Sequence, residues 1–143
     1  MTDNTPSVLD RTMHETHEWL NELAQATGGD KQEAYHALRG GLHALRDRMT
    51  PDEAVHLGQQ LPLLIRGIYY EDWKPSATPH KERSREAYLD FVRGKLDQDG
   101  SSVDPETAVK GVFTLLKMHV DKGELGHVAD QPPEEVNAMM KAA

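Results

Sequence analysis

Glu53-Ala-Val-His56-Leu-Gly-Gln-Gln60-Leu-Pro62 returns as Glu124-Leu-Gly-His127-Val-Ala-Asp-Gln131-Pro-Pro133, at an offset of 71 (124 − 53 and 133 − 62). Upstream, Ala34, Leu38 and Leu42 fall on Ala108, Val112 and Leu116, at an offset of 74. The change from 74 to 71 places a three-residue deletion between the two stretches. Turns tolerate such deletions best. The expectation is one domain, residues 1–143, built of two copies of a helical unit at about 7–73 and 79–143.

Start and stop signals divide each copy into helices. A first helix begins near Ser7, with Leu9, Met13, Thr16, Leu20 and Leu23 at helical spacing on its inner face. Gly28-Gly29 ends it. Asp30-Lys-Gln-Glu33 reads as a capping box, followed by a stripe of Ala34, Leu38, Leu42, Leu45 and Met49. Gly40-Gly41 inside that helix points to close approach by a neighbour, because each Gly costs about 1 kcal/mol there relative to Ala. Thr50-Pro51-Asp52-Glu53 opens a third helix to about Leu61: Thr caps, Pro sits where no donor is needed, and Glu closes the box. Pro62 restarts the chain as a fourth, Leu63 to Tyr70.

Glu71 to Pro79 is the connector. A fifth helix is expected from near Pro79, with Tyr88, Phe91, Val92 and Leu96 inside. Asp104-Pro105 opens a sixth with Ala108, Val112, Leu116 and Val120 on its stripe. A seventh follows from Asp121, and Pro132-Pro133 opens a short last one ending at Met139-Met140. Only residues 65–73 show a weak strand-like alternation. The fold class is all-α, with Leu38, Leu42, Leu45, Leu57, Leu61, Val112, Leu116 and Val128 in the core.

Composition narrows the function classes. The net charge is −8, and residues 1–72 carry 6 basic against 12 acidic side chains. Such a surface is repelled by phosphate backbones, so no nucleic-acid partner is expected. There is no Cys, which removes disulfides and thiolate metal sites. No long apolar run is present, so neither a membrane span nor a signal peptide is expected and the default location is cytoplasmic.

The stretch from Leu38 through Thr50-Pro51-Asp-Glu53-Ala-Val-His56 and Gln60-Leu-Pro62 to Gly67-Ile-Tyr69-Tyr70-Glu-Asp-Trp73 resembles the bacterial family called domain of unknown function 2267. The resemblance covers nearly the whole chain. It departs at Gln131-Pro132-Pro133, where the family places an apolar residue between Gln and Pro. It implies a small all-helical bacterial protein, associated with stress-related proteins. It brings no catalytic residues to carry over.

Four constellations carry candidate chemistry. Glu53…His56 and Glu124…His127 repeat the Glu-x-x-His that di-iron bundles supply from two helices, and imidazole with carboxylate suits iron or manganese. The favoured reading is simpler: each Glu follows a capping residue, Thr50 or Asp121, at capping-box spacing. His14 and His17 stand one turn apart, at the margin of the first helix's stripe. His36, Arg39, His43 and Asp47 form a polar stripe, read as a solvated face. Lys81, Arg83 and Arg85 at the start of helix five are candidates for an anion or nucleotide, with solvated charge the favoured reading.

Tyr69, Tyr70 and Trp73 are the interaction candidates, with Tyr69 and Trp73 favoured as mortar between the halves and Tyr70 as the more exposed. No phosphate loop or nucleophile motif is present. The expectation is a non-enzymatic module that binds a protein partner, with no cofactor. The metal-binding and anion-binding readings are its alternatives.

Overall fold

The structure, a computed structural model, describes residues 6–80, 84–120 and 138. The described chain is all-α. Its helices are α1 (Ser7–Thr27), α2 (Lys31–Arg46), α3 (Pro51–Gln59), α4 (Leu63–Tyr70), α5 (Arg85–Gln98) and α6 (Pro105–His119), with a 3₁₀ turn at Pro75–Ala77. The weak alternation across 65–73 resolves as α4 and the turn that follows it. Val128, Glu124, His127 and the expected seventh and eighth helices lie outside the described residues.

Local signals set the boundaries. Thr50 accepts from the Glu53 amide while the Glu53 carboxylate accepts from the Thr50 amide at 3.2 Å, closing the box at the start of α3. Asp104 caps α6 from Thr107, with Pro105 at the first helical position. Gly28 ends α1 at φ +73°, a left-handed conformation that costs Gly nothing sterically. The Asp30 box is only half made. Asp30 caps Glu33 at 2.9 Å, but the Glu33 carboxylate reaches across to accept from Ser101 Oγ at 2.8 Å. It thereby ties the start of α2 to the loop before α6. Helix five begins at Arg85 rather than near Pro79, because Ser84 supplies the cap to Ala87.

α2 is the hub, in contact with α1, α4, α5 and α6. Its small residues let the neighbours in. A Cβ on Gly41 would meet Val112 Cγ2 at 2.7 Å, and one on Gly111 would meet Leu23 Cδ1 at 2.7 Å. α2 and α6 therefore pack backbone against side chain, and so do α6 and α1. Leu38, Leu42, Leu45, Leu57, Leu61, Val112 and Leu116 are all buried, as their stripes require. α1 is turned from its expected face: Thr12, Thr16, Trp19 and Leu23 are buried, while Leu9 and Met13 face out. The Thr16 hydroxyl donates to Thr12 O at 2.6 Å, which lets a Thr face go inside.

Two glycines should respond oppositely to the same substitution. At Gly41→Ala the new methyl meets a β-branched, rotamer-locked Val112, and overpacking of this kind costs about 1–3 kcal/mol. Gly94 has open space around its Cα, so Gly94→Ala should stabilise α5 by up to about 1 kcal/mol. Urea denaturation of both variants checks the pair, and stabilisation at Gly41 would contradict the close α2–α6 contact.

Candidate functional site

The polar stripe of α2 is not a solvated face. His43, Arg46 and Asp47 are buried, and Arg39 and His36 are nearly so. The reason lies on α4. A helix of eight residues leaves its last carbonyls without intrahelical donors. α2 supplies those donors. Arg46 donates to Tyr69 O at 2.7 Å and Glu71 O at 2.6 Å, and its Nε holds Asp47 at 2.8 Å. His43 Nε2–H donates to Ile68 O at 2.8 Å. The positive charge of Arg46 is also favourably placed at the negative end of the α4 dipole.

Arg39 extends the same joint outward. It pairs with Glu71 at 3.1 Å, with Asp72 at 2.8 Å and with Asp99, the C-cap of α5, at 3.4 Å. Asp72 sits at φ +59°, a conformation Asp tolerates better than most residues. His36 Nδ1 lies 3.5 Å from Asp99 as well. The whole stripe is joinery between α2, α4, the connector and α5.

α3 is finished in the same way from α4. Arg66 donates to Gly58 O at 2.9 Å and Leu61 O at 3.1 Å. Tyr69 is buried and its hydroxyl donates to Ala54 O at 2.7 Å. Tyr70 and Trp73 are half-buried and stacked, with ring centroids 5.4 Å apart. Tyr70 lies so close across Gly58 that a side chain there would collide with its hydroxyl.

The other sequence candidates that the structure describes are each engaged separately. Glu53 is engaged by its own cap and His56 is exposed. His14 pairs with Glu18 at 3.0 Å, and His17 faces Lys31 Nζ at 3.2 Å. Arg85 pairs with Glu106, while Lys81 and Arg83 lie outside the described residues. Among the described residues no group of three His, Asp or Glu side chains is placed to hold a metal ion.

Among the described residues, most of the large exposed apolar side chains lie on α1 and at the start of α4. Val8, Leu9 and Met13 of α1 are 47–50% exposed, and Leu63 and Leu64 at the start of α4 are 50% and 41% exposed. They gather around a single joint, since the Leu64 amide donates to Thr12 Oγ1 at 2.9 Å. Beside that joint is a cavity of about 410 Å³, bounded by Glu15, Glu18 and Trp19 of α1, by the Gln60–Leu61–Pro62 turn and by His119 at the end of α6. His119 stacks on Trp19, with centroids 4.7 Å apart, and holds Glu22 at 2.7 Å. Helical periodicity points Leu9 and Met13 inward and does not pick out Trp19, whereas the structure turns Leu9 and Met13 outward and buries Trp19.

Burial holds the His43 pKa down to about 4, and the neighbouring positive charges of Arg46, Lys95 and Arg39 add to the effect. The unfolded chain takes up this proton near pH 6.5, whereas the folded chain resists it down to about 4. Stability from this group is therefore complete above about pH 6.5 and falls as the pH drops towards 4, by roughly 3 kcal/mol in all. His43→Gln keeps a donor for Ile68 O and removes the titration. Urea unfolding from pH 7 to 4.5 should show a shallower acid loss in this variant. Superimposable pH profiles would contradict the assignment.

A family model described as uncharacterized conserved protein (DUF2267) matches residues 16–139. No curated protein matches the chain.

Proposed function

The chain belongs to the DUF2267 family, described only as uncharacterized conserved proteins, and on that premise we propose that it is a protein-interaction module rather than a catalyst. The observation that carries this reading is the cluster of Val8, Leu9, Met13, Leu63 and Leu64, exposed together around the Thr12–Leu64 joint. Exposed apolar groups gathered in one place mark interaction surfaces. The buried charges, by contrast, are used up as joinery.

The partner that fits is a basic amphipathic segment. The cluster offers apolar contact, and the acids Asp10, Glu15 and Glu18 on α1 outnumber the neighbouring Arg11. A second copy of the chain carries the same −8 charge and is repelled. Residues 121–143 have five acidic and two basic side chains, so they suit this end less well than a basic partner does. Anionic lipid headgroups are disfavoured for the same reason.

The proposal includes the two-copy plan and a cytoplasmic, bacterial setting. Three observations support the duplication. α1 and α5 are each followed by a left-handed Gly, Gly28 and Gly100. α2 and α6 are each capped by Asp, Asp30 and Asp104. Ala34 and Ala108, Leu38 and Val112, and Leu42 and Leu116 are buried as pairs.

A synthetic amphipathic helix of Leu and Lys is the probe. Fluorescence anisotropy should show it binding the protein, while its Leu/Glu counterpart does not. The double variant Met13→Ser, Leu64→Ser, which removes apolar contact without adding charge, should weaken binding at least about tenfold, since each buried apolar side chain is worth about 1.5–3 kcal/mol. Met118→Glu, at an exposed Met on α6, should leave it unchanged. Equal binding by the double variant and the unaltered protein would overturn the proposal.

A further inference from the structure

The cavity beside the apolar joint has a composition of its own. Trp19 and Leu61, nearly fully buried, lie beneath it, Pro62 flanks it, and Trp19 is held in place by the His119 stack. Its carboxylates differ in their commitments. Glu18 is paired with His14 at 3.0 Å, whereas the half-buried Glu15 has no hydrogen bond or ion pair among the described residues. Glu22 lies one turn further along and is taken up by His119. At about 410 Å³ the cavity falls within the roughly 300–1,000 Å³ of ligand pockets.

We infer that this cavity receives one arginine side chain of the docked partner, with Glu15 as its counter-ion. The inference rests on the interaction reading above and names what selects the partner. A guanidinium suits the site better than an ammonium. It is planar, weakly hydrated and able to lie along the edge of an aromatic ring while donating in a fork to a carboxylate. The acceptors are to hand: the Glu15 carboxylate, and the side-chain oxygen of Gln60, which also lines the cavity. The apolar joint then supplies affinity, and the cavity supplies register along the partner helix. A partly enclosed site strengthens the charge pair relative to open water.

The test uses amphipathic Leu/Ser peptides that carry a single central Arg or, in its place, the neutral isostere citrulline. Binding is measured by anisotropy to the full-length protein and to Glu15→Gln. This substitution breaks no contact among the described residues, so the fold is expected to survive it. The unaltered protein should prefer the Arg peptide by about tenfold, the scale of one charge-assisted hydrogen bond. In Glu15→Gln the preference should vanish while the citrulline peptide binds as before. Equal binding of the two peptides to the unaltered protein, or a preference that survives in Glu15→Gln, overturns the cavity assignment alone. Failure of both peptides to bind overturns it together with the interaction reading.

Discussion

Short helices impose the constraint on which this structure depends. α3 has nine residues and α4 has eight, so close to half of each helix's carbonyls lack an internal donor. The chain answers with side chains from the neighbouring helix. Arg66 closes the end of α3, and Arg46 with His43 closes the end of α4. Burying Arg46 costs desolvation, but Asp47 and two carbonyls compensate it. Removing that guanidinium would take its donors away from the Tyr69 and Glu71 carbonyls. Lys could not replace it, since one ammonium cannot reproduce the planar fork.

Because α4 is pinned at its end, its start is also placed. Leu64 is held to Thr12, and Leu63 and Leu64 project beside the outward residues of α1. The interior of α2 follows the same logic. Gly41 admits Val112, which brings α6 close enough for His119 to reach Trp19 and Glu22 on α1. The cavity edge is thus a consequence of close helix packing at the hub. Polar ties lie further out, at Glu33–Ser101 and Arg39–Asp99, and connect α2 to the first half of the loop between α5 and α6.

Much of this was legible in the sequence because the signals were local. The Thr50–Glu53 box, the Asp104-Pro105 start and the Gly28 stop each involve residues within one turn, and each stands where its spacing put it. The Leu stripes of α2 and α6 were legible for the same reason. The polar stripe of His36, Arg39, His43 and Asp47 was not, because periodicity assigns polar groups to water. Its partners lie some 25 residues downstream at Ile68, Tyr69 and Glu71. One signal could have found it: α4 has no basic residue in its last turn, so its carbonyls needed outside donors. α1 was ambiguous by one step. Leu9 and Met13 look better suited to the interior than Thr12, until the Thr12 hydroxyl and carbonyl are given their partners, Leu64 and Thr16. That one step decided whether the candidate site could be seen at all.

We propose that the outward residues of α1 and the start of α4 together form the docking surface. Backbone amide chemical shifts of the full-length protein, recorded while the Leu/Lys helix is titrated in, test it most directly. Perturbations should concentrate at residues 8–19 and 60–65, with α5 and the outer face of α6 silent. Perturbations centred on α5 or on the 71–80 connector, with residues 8–19 unmoved, would contradict it.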